Sequence, residues 1–222
     1  MSYLWNEFNI KTMPAETIVF RDGVFCPELS TLKYEPINNN YNKPVHIIYV
    51  GEIDGDNTLN ISAGAKNQNI FVSANIKIKK PAVLNIFIEN AGENTKISGT
   101  FLIQNNSDFV LDCNARHLYK KTAILIKNKI LAGKNSNSKL SGTAIIDKDC
   151  AECDSDIAFI AMKDENAKIE FMPGQKIKSI PNQADHSASV YKPNDAQVFY
   201  LRNAGLGTGE IDETLKEAFL SF

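Results

Sequence analysis

From Val45 to Ile177 short apolar segments alternate with period two, and no helix-length amphipathic pattern interrupts them. Alternation puts apolar side chains on one face of a strand and polar ones on the other. Leu59, Ile61 and Ala63 alternate in this way, as do Leu84, Ile86 and Ile88, and Ile97, Gly99, Phe101 and Ile103. The series continues through Phe109, Leu111 and Cys113, then Leu140, Gly142, Ala144 and Ile146, then Ile157, Phe159 and Ala161, and closes on Ile169 and Phe171. Asn, Gly, Ser and Asp cluster between the segments, at 90–94, 105–108 and 135–138. Asn and Gly tolerate the left-handed backbone of tight corners. Many short strands without helices point to a sandwich, a barrel or a β-solenoid. The spacing is irregular and yields no clean repeat, so the pattern alone leaves sandwich and solenoid both open.

The flanks differ. Residues 1–44 carry Pro14, Pro27, Pro36 and Pro44 and the run Asn38-Asn39-Asn40. They read as an irregular cap or arm with one short strand at Thr17–Phe20. The β-rich core is expected over 45–180 and a helical segment over 181–222. Within that segment a helix is expected from Ala196 to Ala204, with Asn194 or Asp195 as N-cap and Gly205 at C′. A second is expected from near Glu210 to Phe222, with Ile211, Leu215, Ala218 and Phe219 on one face and Glu210, Asp212 and Glu213 in its first turn.

At 222 residues, 43% hydrophobic and 23% charged, the chain has an ordinary globular composition. Its net charge of −2 argues against a polycation for nucleic acid or anionic lipid. Residues 114–148 hold eight Lys/Arg against the single acid Asp147, but lack interleaved aromatics beyond Tyr119 and read as a solvated face. No apolar run approaches the ~20 residues of a membrane helix. Residues 1–17 lack the basic and apolar regions of an export signal, so a cytoplasmic location is expected. In such a compartment Cys26, Cys113, Cys150 and Cys153 are expected as thiols or metal ligands rather than disulfides. The sequence has no P-loop, dinucleotide glycine pattern, G-x-S-x-G or H-E-x-x-H.

Cys150 and Cys153 form a C-x-x-C, a spacing that suits metal chelation or a redox pair. Zinc sites usually add a second pair, which is absent. Cys113 is in phase with Phe109 and Leu111 and reads as a small buried hydrophobe. His46 reads as a strand residue.

Two stretches resemble the SufB/SufD scaffold family of the SUF iron–sulfur system. One is His117-Leu118-Tyr119-Lys120-Lys121-Thr122, continuing through Leu131-Ala132-Gly133-Lys134-Asn135-Ser136 to Ser141-Gly142. The other begins at Cys153-Asp154-Ser155. It runs through Ala184-Asp185-His186-Ser187-Ala188-Ser189-Val190 to Gln197-Val198-Phe199-Tyr200-Leu201-Arg202-Asn203-Ala204-Gly205-Leu206. The resemblance covers roughly residues 110–222. The chain is much shorter than typical members, so their N-terminal domain is expected to be missing or reduced.

The resemblance implies a mainly β fold: a right-handed parallel β-helix (solenoid) with a C-terminal two-helix tail. A terminal helix would then cover the last rung. It also implies a non-enzymatic scaffold that carries an Fe–S cluster transiently. Cys153 matches the cysteine before Asp-Ser that takes part in building the nascent cluster. His186 matches a histidine at the subunit interface, and Asp185 an acidic residue just before it. Ser187 stands where SufB-like members have another acid. The resemblance assigns nothing to Cys150, so any metal role for it is read from the C-x-x-C alone. His117 resembles a structural histidine. The expected partners are a second SufB/SufD-like subunit, through the end of the β-helix, and a SufC-like ABC ATPase. The ATPase would dock on 197–222, with Gln197, Phe199, Tyr200, Leu201 and Gly205 as candidate contacts.

Two rivals stand beside this. A polysaccharide-acting β-helix enzyme would need clustered carboxylates or calcium ligands along one face, and no repeated acidic pair is seen. A solenoid polymerising end to end would need exposed apolar ends, one of which the helical tail is expected to block.

Overall fold

The computed structural model describes residues 16–34 and 44–221. The Pro14, Pro36 and Asn38–Asn40 features of the arm lie outside the described residues, and the second tail helix ends at Phe219 with Leu220 as its C-cap, short of the expected Phe222. Eleven strands form one continuous sheet: β1 Glu16–Arg21, β2 Val24–Phe25, β3 Val45–Ala63, β4 Asn69–Asn90, β5 Lys96–Asn105, β6 Asp108–His117, β7 Ala123–Ala132, β8 Asn137–Ile146, β9 Asp154–Lys163, β10 Lys168–Ile177 and β11 Gln183–Val190. Two helices follow, α1 Asp195–Asn203 and α2 Thr208–Phe219.

The strand order β10-β8-β6-β4-β5-β7-β9-β11 is the signature of a coil. From β4 on, successive strands alternate between two faces, and each up to β9 pairs in parallel with the strand two places on. The result is a parallel β-solenoid of about six turns. β3 and β4 are long because each bends across both faces. The first part of β4 pairs with β5 and its second part with β6. Pro81 falls in the unpaired gap between Ile78 and Ala82, where its missing N–H costs no ladder bond.

The repeat that the sequence conceals is visible in the registers. Ile70 pairs with Ile97 and Ile97 with Ile124, offsets of 27 residues, whereas Ile124 pairs with Ser155, an offset of 31. The strands keep their length while the corners between them vary, so the period drifts. Left-handed residues turn these corners: Asn67, Asn94, Lys121 and Glu152 are in four of them, and Asn135 and Asn166 in two others. Asn94 Nδ2 donates to Asn67 Oδ1 at 2.7 Å, tying two neighbouring corners together.

The alternating apolar residues face inward and form one core from Ile18 to Ala161. Coils stack closely enough that a Cβ at Gly142 would lie 2.5 Å from the Cys113 carbonyl oxygen. Cys113 itself is fully buried, and burial pushes its thiol up to about 12.

At the N-terminal end β1 adds a parallel strand to β3. An Asp22-Gly23 turn with φ of 50° and 80° then reverses the chain into β2, as a two-residue hairpin loop requires. Phe20, Phe25, Tyr34 and Tyr49 pack ring on ring over this end.

At the other end the sheet runs past residue 180, where the pattern of segments changes, and continues through β11 to Val190. The expectation that the tail covers the last rung is corrected here. The inward row of β11 is Ala184, His186, Ala188 and Val190, in register with buried Ser155, Ile157, Phe159 and Ala161. Val190 is nevertheless 51% exposed. The tail lies along the flank instead. Phe219 stacks on Tyr191, Lys129 sits over the Phe219 ring and donates to the Ser221 carbonyl, and Lys216 pairs with Asp164. These anchors point α2 at the side of β7 and β9, so it cannot also close the end.

Candidate functional site

Cys153 immediately precedes β9, and its thiol is completely buried. Its Sγ lies 3.3 Å from the Tyr119 carbonyl oxygen and 3.2 Å from Thr122 Oγ1. Thr122 Oγ1 is in turn 2.7 Å from His117 Nδ1. A chain of polar atoms thus links an imidazole, a hydroxyl and a thiol on neighbouring coils. With Nδ1–H donating to Thr122, the hydroxyl proton is shared between the Tyr119 carbonyl oxygen at 3.1 Å and the Cys153 sulfur. Burial holds the His117 imidazole neutral, pushing it down to about 4. His117 Nε2 and Asn90 Oδ1, on residues paired in register, are both buried without partners.

Cys150 lies in the same buried cluster as Cys153 and Ile146, with Ala184 of the last coil packed against it. Its thiol donates to the His117 carbonyl oxygen at 3.2 Å. Left-handed Asp149 and Glu152 fold the chain back so that both cysteines of the C-x-x-C point into one pocket. Burial first, and the neighbouring Cys153 next, push the Cys150 thiol above its ordinary range.

Beside the cluster a polar groove of about 680 Å³ opens to solvent. Glu152 and Asp154, which bracket Cys153, line it together with Lys121, Thr122 and Lys96.

His186 is on β11, on the inward row and half-buried at the open end. Its Nδ1 is buried without a hydrogen-bond partner. It opposes Ile157, whereas the Asn182 and Gln183 N–H groups donate to the carbonyl oxygen of Cys153. Four residues of strand separate those positions, about 13 Å at the usual rise per residue. Cys153 and His186 therefore share a row of one chain without converging. Asp185 is exposed on the outer face, in register with Asp156. Burial, and then the charge of Asp185, raise the Asp156 carboxyl above its ordinary range. Among the described residues no group of three His, Cys, Asp or Glu is arranged to hold a metal.

In the tail, α1 begins with a capping box: Asn194 Oδ1 accepts from the Gln197 N–H at 2.8 Å, and Gln197 Oε1 accepts from the Asn194 N–H at 2.9 Å. Gly205, at φ 91°, ends it. The Leu206 N–H returns to the Leu201 carbonyl and the Gly205 N–H to that of Arg202, a Schellman closure. Gln197 and Gly205 thus have structural work within the tail. Phe199 and Tyr200 are 64% and 73% exposed, and α1 buries no residue.

The neighbourhood of Cys153 was only partly legible beforehand. His117 and Thr122 lie in one of the stretches that resemble the family, but nothing in the sequence brings Thr122 to the Cys153 sulfur 31 positions on. Asp156 carried no signal beyond its outward phase.

A family model described as SUF system FeS cluster assembly, SufBD core domain, matches residues 54–219. Comparison with curated proteins finds no match.

Proposed function

The chain belongs to the SufBD core family of SUF iron–sulfur cluster assembly, and from that premise we propose that it is a scaffold on which a cluster is built transiently. Two such subunits, identical or homologous, pair through the open C-terminal end of the solenoid. The observation that carries this reading is the uncovered inward row of the last coil, with His186 in its midst. Cys153 and His186, drawn from facing subunits, hold iron and sulfide, with Asp185 beside them. Thiolate and imidazole suit iron. The offset of about 13 Å along the strand within one chain and the burial of Cys153 favour a site completed only on pairing and opening.

A SufC-like ABC ATPase docks on the tail. The exposed Phe199 and Tyr200, with Leu201 behind them, offer the aromatic anchors that such interfaces favour. Nucleotide-driven closure of the ATPase pair pulls on the tail, and through it on Tyr191 and β11. The scaffold itself catalyses no reaction in this reading. Among the described residues no helix is long and apolar enough to cross a membrane, and the assembly works in the cytoplasm.

The test is anaerobic co-expression with the host's ABC ATPase, reconstitution with iron and sulfide, and visible absorption of wild type, Cys153→Ala and His186→Ala. A complex with a cluster band that weakens in both variants is expected. A complex without a cluster would reduce the role to a partner subunit, and neither complex nor cluster would sink the proposal.

A further inference from the structure

Cys150 shares one buried cluster with Cys153, and the cluster ligation proposed above gives it no part. We propose that the two cysteines form a thiol pair that reduces sulfane sulfur carried by Cys153 and releases it as sulfide where the cluster is assembled. This rests on the reading of Cys153 as the residue that handles sulfur.

Three observations support the pair. The two thiols occupy one buried cluster with Ile146, and their sulfurs rest against the carbonyls of His117 and Tyr119, two residues apart on the preceding coil. Their surroundings differ in kind. Cys150 meets only carbonyl acceptors, those of His117 and Lys148. Cys153 also meets the Thr122 hydroxyl, which is backed by His117 and bonded to the Tyr119 carbonyl. Finally, the polar groove reaches Thr122 and both backbone neighbours of Cys153. A hydropersulfide donor seated there faces the backbone on both sides of Cys153, so Cys153 is the thiol that meets it when this wall opens.

The chemistry balances in two steps. A donor hydropersulfide, R–S–SH, gives its terminal sulfur to Cys153, which becomes Cys153–S–SH while the donor leaves as the thiol R–SH. The Cys150 sulfur then attacks the inner sulfur of Cys153–S–SH. The Cys150–Cys153 S–S bond forms and the Cys153 S–SH bond breaks. The terminal sulfur leaves as H2S, taking the Cys150 proton. Two thiols are oxidised to one disulfide, and one sulfane sulfur is reduced to sulfide. A cellular dithiol then restores the pair.

The experiment uses the full-length chain in a Cys26→Ser background, reduced and desalted anaerobically, with glutathione hydropersulfide limiting as the donor. Sulfide is measured colorimetrically, and the 150–153 peptide is mapped by mass. Wild type is expected to release about one sulfide per hydropersulfide consumed and to show an internal disulfide in that peptide. Cys150→Ser is expected to keep the extra sulfur on Cys153, with sulfide release at least about tenfold slower. A wild-type peptide that keeps the persulfide and forms no disulfide would overturn the inference without recourse to any variant. Release as fast from Cys150→Ser would overturn it too. Reconstitution of Cys150→Ser with iron and free sulfide separates this from the scaffold role. Normal clusters there support the inference, because sulfide then bypasses the pair. Lost clusters would make Cys150 a ligand, overturning the inference while leaving the scaffold standing.

Discussion

The inner rows of the solenoid meet a stack of aromatic rings at their N-terminal end and, among the described residues, nothing at their C-terminal end. Phe20 and Tyr49 lie on those rows, stacked at 5.6 Å, and Tyr34 stands edge-on to Phe20 at 4.8 Å with its hydroxyl donating to the Asn60 carbonyl. At the other end Ile169 and Phe171 are only half-buried, and Ala188 and Val190 are exposed. A solenoid coil satisfies its neighbour's apolar row and hydrogen-bonding edge but not its own outer one. One end here resolves that within the chain and the other does not. A subunit with a single open end pairs into a closed dimer rather than a filament. This weighs against the end-to-end polymer, for a different reason from the one expected. The aromatic plug blocks an end, and the helical tail does not.

The largest test of this asymmetry is to remove the plug. Phe20→Ala deletes a ring that touches three others and is expected to cost about 3–5 kcal/mol in urea unfolding. A loss below about 1 kcal/mol would mean the plug does not close that end.

Acid is the next lever. His46, beneath the N-terminal strand and 2.9 Å from Ser73 Oγ, is pushed down to about 4 by burial, as is His117. A depressed histidine keeps the fold's full stability above the ordinary value of about 6.5. Between 6.5 and 4 the unfolded chain binds the proton and the folded chain does not, so stability falls with pH. Each is expected to contribute a loss of roughly 1–3 kcal/mol by pH 4, read from denaturation midpoints. His46→Gln should flatten part of that slope, and an unchanged slope would place the acid sensitivity elsewhere.

A smaller effect belongs to the tail. Lys216 bridges Asp164 of the solenoid at 2.6 Å and Asp212 at 2.7 Å. Lys216→Ala is expected to cost about 0.2–1 kcal/mol, and hydrogen exchange should show α2 loosening while β7 and β9 stay protected. Equal loosening of tail and coil would show the two to be one cooperative unit.

The smallest stability effect is expected at the open end. Val190→Asp should change the unfolding free energy of the isolated chain by less than about 0.5 kcal/mol, yet abolish pairing in sedimentation. Pairing that survives would move the interface away from this end, and a large stability loss would mean the end is covered after all.

The family features were legible to different depths. An N-cap at Asn194 or Asp195 and Gly205 at C′ were readable because capping is decided within four residues, and the structure selects Asn194. Inward and outward phases were readable wherever the segment was long, as at Ile97 to Ile103. The coil repeat was not, because corners of different length separate strands of nearly constant length. Glu152 and Lys121 turn corners in the left-handed region where Asn was the expected residue. The surrounding ladder, such as the Lys121 N–H on the Ala151 carbonyl, stabilises a conformation that the residue itself disfavours.

The sequence by itself determined the period-two segments of the core, the apolar side of each, the presence of two tail helices with the caps of the first, and the family resemblance. Each of these follows from period, caps or short ordered motifs. Only the tertiary structure decided which strands stack, that the tail runs along the flank, that one end is plugged and the other open, and that Thr122 and His117 stand against Cys153. The physical reason is the same throughout. In a parallel solenoid a residue's neighbours lie a whole coil away in sequence, and the length of each coil is settled by the hydrogen bonds and packing of its corners rather than by local propensity.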